Sequence, residues 1–113
     1  MKSRWDCMVA FAKHGLDTDF NDRGDGLHST RDGYTLSLQW GFANYCEDRW
    51  KGNCDTKHPW KPNFEVAVWD PQGDLLPLQD YDQVVGWVSW DKLDTLLEAF
   101  KAKDWQNLAK KIL

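Results

Sequence analysis

The clearest period in the chain is at residues 33 to 42, GYTLSLQWGF. Tyr34, Leu36, Leu38 and Trp40 alternate with Thr35, Ser37 and Gln39. A repeat of two predicts a strand with one apolar face and one polar face, covering a core on one side only. FEVAVWD at 64 to 70 predicts a second strand. DPQGD at 70 to 74 follows as a turn, with Pro at its second position and Gly at its fourth. A third strand is expected around Leu75 to Leu78 and a fourth at QVVGWVS, 83 to 89.

The period then changes. Leu93, Leu96, Leu97 and Phe100 recur at helical spacing, and Ser89 stands ahead of them as an N-cap candidate. Asp104 interrupts that stripe and can cap a second short helix, with Trp105, Leu108 and Ile112 inward. Near the start, WDCMVAFAKH at 5 to 14 offers a helix with Trp5, Met8, Val9 and Ala12 as its stripe and Gly15 beyond its end. The short apolar CMVAF also fits a strand. Residues 15 to 33 carry five Asp and four Gly and read as a loop, and residues 41 to 63 read as irregular. The pattern predicts one α+β domain over residues 1–113, a small antiparallel sheet of about four strands with C-terminal helices packed on one face.

Composition changes this picture in one respect. Eight of the sixteen aromatics are Trp. Trp is large and seldom fully buried, so the core of a 113-residue chain has no room for all eight, and some are expected at an interface. Charge adds a second point. The net charge is −4, which disfavours indiscriminate binding to nucleic acid or anionic lipid. Residues 64 to 98 hold eight acids against Lys92, and residues 99 to 113 hold four Lys against Asp104. The acidic run is either the solvated face of a sheet and helix or a surface complementary to a basic partner. No apolar run is long enough for a membrane span or a signal-peptide core. Three cysteines, an odd count, fit free thiols in a reducing cytoplasm.

The chemical motifs are sparse. DTDFNDRGDG, 17 to 26, places Asp17, Asp19 and Asn21 at alternate positions, like the start of an EF-hand. An EF-hand needs Gly at its sixth position and Glu at its twelfth, where this chain has Asp22 and His28. Non-EF calcium binding through Asp17, Asp19, Asn21 and Asp25 is the alternative to a solvated turn. Cys46, Cys54 and His58 are candidate zinc ligands, but the tight ligand pair usual in a zinc site is missing. No metal or other cofactor is expected. Cys46 with a His and an Asp can be drawn as a triad, yet no nucleophile elbow or phosphate-cradling loop is present, and an enzyme is not expected. Trp50, Trp60, Trp69, Trp87, Trp90 and Trp105 could offer a stacking platform for sugars or bases. Arg49, Lys51, Lys57 and Lys61 beside Trp50 and Trp60 make residues 46–61 the alternative site, a nucleic-acid-binding or zinc-stabilised module.

GYTLSLQWGFANYCEDR, then FEVAVWDPQGD, then DYDQVVGWVSWDKLDTLLEAF resemble a group of small proteins of tailed bacteriophages. The resembling elements are a Gly-Tyr strand running into an Asn-Tyr-Cys turn (Gly33 to Cys46), a strand ending in Trp-Asp and a Gly turn (Phe64 to Gly73), and an Asp–Val–Gly strand entering a helix through Ser (Asp82 to Leu97). The likeness covers residues 33 to about 100. The N-terminal segment, the stretch 47 to 61 and the last helix depart from it. It implies a phage origin and brings no catalytic residues. With that origin, the chain is expected to be a non-enzymatic inhibitor in the host cytoplasm. It would occupy a host protein with a basic surface, a defence or nucleic-acid-processing complex, in the manner of anti-CRISPR proteins. Trp50, Trp60, Trp69 and Trp90 are the expected contact aromatics, and Asp70, Asp74, Asp80 and Asp82 the expected charge partners. Neither membrane nor nucleic acid is an expected partner.

Overall fold

Alternation in β3 (Tyr34–Gln39) sets the frame, because this strand pairs on both sides. The computed structural model describes residues 4–22, 26–40, 63–80 and 82–113. Within them lie α1 (Arg4–Lys13), β1 (Asp19–Phe20), β2 (Gly26–Arg31), β3, β4 (Asn63–Trp69) and β5 (Val85–Ser89). A 3-10 turn (Trp90–Lys92), α2 (Leu93–Ala102) and α3 (Trp105–Ile112) follow. The five strands pair antiparallel in sequence order, β1 to β5. The protein is α+β, with its two C-terminal helices on the sheet's apolar face.

The register lines up the apolar rows. Leu38 stands opposite Leu27 on one side and Val66 on the other, and Leu36 stands opposite Val68. All five are buried, in one cluster with Cys7 and Phe11 of α1, Leu93, Leu96, Leu97 and Phe100 of α2, and Leu108 and Ile112 of α3. Aromatic rings close the two ends of this layer. Trp90 lies 4.4 Å from Phe64 and 5.6 Å from Trp40, centroid to centroid. Trp105 lies 5.0 Å from Tyr34 and 6.0 Å from Phe100.

Three expectations are corrected. First, residues 15 to 33 are not a loop throughout. They hold β1 and β2, and β2 joins β3 through Asp32 and Gly33, both at positive φ (54° and 84°). Two left-handed residues between antiparallel strands form the turn whose twist matches that of the hairpin. Second, Leu75 to Leu78 is not a strand. Leu75 makes a single bridge to Trp69, and the Leu76 amide donates to the Val68 carbonyl at 2.8 Å. The DPQGD turn has folded the chain back onto the end of β4, and β5 occupies the start of that same edge. Third, α1 is a helix, but its inward residues are Cys7 and Phe11. The expected stripe faces out: Trp5 is 70% exposed and Met8 42%. Apolar residues sit on both sides of α1, so spacing could not choose between them.

Both long-helix ends are built alike. Gly15 (φ 71°) ends α1, with the Leu16 amide on the Phe11 carbonyl and the Gly15 amide on the Ala12 carbonyl, each at 3.0 Å. Lys103 (φ 55°) ends α2 with the same pair of bonds, from the Asp104 amide to the Ala99 carbonyl and from its own amide to the Phe100 carbonyl. Lysine is a costly choice for a left-handed residue. Here its ammonium reaches Asp32 at 3.2 Å and lies 5.6 Å from the Tyr34 ring centre, tying the helix corner to the β2–β3 turn.

Replacing Trp90 by Ala removes a ring from between Phe64 and Trp40 and is expected to cost about 3–5 kcal/mol. Trp5→Ala, on the exposed side of α1, is expected to change stability by less than about 0.5 kcal/mol. Chemical denaturation of both variants checks the contrast, and equal midpoints would contradict the placement of the two indoles.

Candidate functional site

The tryptophans divide sharply. Trp40 and Trp90 belong to the core, at 0% and 8% exposed. Trp90 therefore leaves the set of expected contact aromatics, because its ring is already enclosed by Phe64 and Trp40. Trp69 and Trp105 are half-buried. Trp5 and Trp87 face outward, the latter 53% exposed. Trp50 and Trp60 lie outside the described residues, as do Cys46, Cys54, His58, Asp25 and the basic stretch 49 to 61.

Trp69 occupies the outer face of the sheet. Its ring lies 5.8 Å from that of His28, tilted at 58°. Thr30, Thr35, Gln39 and Glu65 share this face by alternation.

Trp87 was not among the expected contact residues, and it holds the most unusual backbone position. Phe64 pairs with Val88 and Val66 with Val85, so Gly86 and Trp87 together oppose Glu65 alone. This is a β-bulge on the edge strand. Trp87 sits there at φ 53°, a conformation that costs a bulky residue of order 1–3 kcal/mol. A bulge re-aims a side chain that regular pleating would send elsewhere. The Gly before Trp inside an apolar run was the available signal, since Gly in a strand often marks a bulge.

The expected charge partners differ in their freedom. One Asp70 oxygen accepts from the amides of Gln72 and Asp74, both at 2.9 Å, so this carboxylate shapes its own turn. Asp82 accepts from the Val84 amide at 3.1 Å, and Gln79 closes the same segment by donating to the Val84 carbonyl at 2.7 Å. Asp74, Asp80 and Asp82 are exposed. Asp17 does not stand ready for calcium. One of its oxygens accepts from the Ser29 hydroxyl (2.9 Å) and the Thr30 amide (3.0 Å), which satisfies a buried serine. Asp19 lies in β1, paired with His28. Among the described residues, no group of three metal-ligating side chains converges.

Two further features carry chemistry. His14, just past α1, has a side chain only 10% exposed. Its Nε2 lies 3.0 Å from Asp94 on α2, and its Nδ1 lies 2.9 Å from Glu98, an ion pair only when the ring is protonated and not aligned for a hydrogen bond. The ring rivets the first helix to the second. The Cys7 thiol is fully buried and pushed by that burial up to about 12, so it offers almost no thiolate at neutral pH.

Comparison of the chain with protein-family models, with curated proteins and with solved structures finds no match. Among the described residues, no helix is long and apolar enough to cross a membrane.

Two outcomes follow from these environments. Iodoacetamide should leave Cys7 unmodified in the folded protein and label it in urea, as read by peptide mass spectrometry. Labelling at the rate of a free thiol without denaturant would contradict its burial. Acid sensitivity is the second. Glu98 is held below its usual value, first by the hydrogen bond and charge of Lys101 and then by His14. Asp104 is lowered first by the Lys111 hydrogen bond and then by Asn107. A carboxylate whose folded-state value is depressed adds stability above its unfolded value, and that stability is lost as pH falls through the folded one. Urea midpoints should therefore drop on acidification into and below the ordinary carboxylate range. Glu98→Gln with Asp104→Asn should flatten the drop, and an unchanged profile would count against these pairings.

Proposed function

We propose that this protein is a non-enzymatic binding protein of phage origin. It acts in the host cytoplasm by occupying a host protein with a basic surface, a defence or nucleic-acid-processing complex, as anti-CRISPR proteins do. The observation that carries this reading is the outward placement of Trp5 and Trp87, at 70% and 53% exposed. Exposed indoles are the side chains most enriched at interface hot spots. Trp87 is also held at a backbone position that a smaller or more flexible residue would occupy at less cost.

Charge and local architecture add to it. Asp74, Asp80 and Asp82 are exposed on two turns that their own chain fixes by hydrogen bonds. Fixed acids beside an aromatic anchor favour a basic partner, through faster encounter and rejection of acidic competitors. His14, Asp17, Asp70, Glu98 and Asp104 are each engaged in holding a turn or a helix. The sequence likeness over residues 33 to about 100 supports the phage origin.

The test is functional and then biochemical. Expression of the chain in bacteria with an active nuclease-based defence should raise phage plating efficiency. The host protein captured by the tagged chain should then bind it as a purified pair. Trp87→Ala should weaken that pair by about 2 kcal/mol or more, roughly thirtyfold in Kd. Plating that stays unchanged across a panel of defence systems, with no saturable protein ligand, would sink the proposal.

A further inference from the structure

His14 couples the two ends of the chain. It closes α1 and meets Asp94 on α2, 80 residues later. Nε2 faces Asp94 Oδ1 at 3.0 Å, and Nδ1 faces Glu98 Oε1 at 2.9 Å. Among the described residues, Nδ1 is the one buried side-chain nitrogen or oxygen with no hydrogen-bond partner. A neutral imidazole carries a single N–H. With the proton on Nε2, the Nδ1 lone pair confronts Glu98. With the proton on Nδ1, the Nε2 lone pair confronts Asp94. Either tautomer therefore sets a lone pair against a carboxylate oxygen at contact distance, and burial keeps water from coming between them at Nδ1. The imidazolium alone presents positive charge to both acids. The other charged groups beside the ring are Lys101, 3.2 Å from the same Glu98 oxygen, and Lys13, which precedes His14 and is exposed.

We propose that His14 is a proton-operated clasp. When charged, its ring holds α1 on α2. As pH rises the ring gives one proton to solvent, and α1 then opens locally about Gly15. The surrounding fold suits such an opening. Helix α1 takes no part in the sheet, and Trp5 and Met8 on its outer side are 70% and 42% exposed. Its inward hold is Cys7 and Phe11, with Ala10 partly buried beside them and His14 at the end. Beyond it, Gly15 stands at φ 71° with nothing within 4 Å of where a Cβ would be, so the joint has room to turn. Leu16, 7% exposed, anchors the chain after the joint. The clasp stabilises the closed form while the ring is charged and is lost with rising pH, across the interval where histidine changes charge. That sign is opposite to the contribution of Glu98, which is lost on acidification. Opening bares Cys7 and Phe11 and moves Trp5.

The experiment is amide hydrogen exchange on the full chain at about pH 6 and about pH 8, either side of histidine's ordinary titration. Rates are corrected for the intrinsic exchange chemistry at each pH. Protection of the α1 amides, residues 8 to 13, should fall about tenfold from the lower pH to the higher, the loss of one contact to a charged group. At the higher pH these amides should exchange well ahead of those of β3, because α1 opens while the sheet stays closed. In His14→Gln, whose side chain holds no charge, α1 protection should be the same at both pH values. Asp94→Asn with Glu98→Gln should flatten it too, by a different route, since the neutral ring then faces no carboxylate. The clasp is overturned if α1 protection in the parent chain is equal at the two pH values, or if α1 and β3 are equally protected at the higher one. A tenfold fall that persists in His14→Gln would assign the effect to another group and overturn it as well.

Discussion

The side chains of β3 divide the molecule. Leu36 and Leu38 point to the face where β2 and β4 add Leu27, Val66 and Val68, and all three helices place apolar residues, Cys7 and Phe11 in the case of α1, against this patch. A shift of β4 by one residue against β3 would exchange Val66 and Val68 for Glu65 and Ala67, and the helices would lose part of their seat. The two-residue turn at Asp32 and Gly33 fixes the β2–β3 register. A side chain at Gly33 would be strained by the positive φ, and its Cβ would press to 3.1 Å from Pro71.

Where a single period governed a segment, the sequence could be read. Strand β3, the apolar stripe of α2, Gly15 at the end of α1 and the DPQGD turn all stand as their residues imply. The failures have identifiable causes. Helix α1 offers two apolar faces, and only the packing of Phe11 and Cys7 decides between them. Strand β2 was hidden because the acids and glycines on either side of it signal a loop. Yet Asp32-Gly33, a strong hairpin dipeptide, was inside that segment. Residues 75 to 78 are apolar, but Pro77 cannot donate to a ladder and β5 already fills most of the edge they would need.

The candidate site was less legible than the fold, for a related reason. An indole's value as an anchor depends on which side of a surface it occupies, and Trp has no strong preference. Trp90 follows a strand and opens a helix, as a surface residue might, yet it bridges Phe64 and Trp40 inside. Trp87 sits in an apolar run, as a core residue would, yet the bulge turns it out. Acids are similarly ambiguous on paper. Asp17 and Asp70 look free, and both are occupied by hydrogen bonds to nearby backbone.

The two margins of the sheet are unlike. Strand β1 is two residues long and places Asp19 at its rim, so it gives an incoming strand neither length nor welcome. The opposite margin is five residues long and carries the bulge. Growth by repeated stacking of identical sheets requires two matching borders, and the described strands offer one at most. Whatever joins it edge to edge would finish the sheet as a single closing piece, giving a discrete complex where two long borders would invite a fibre.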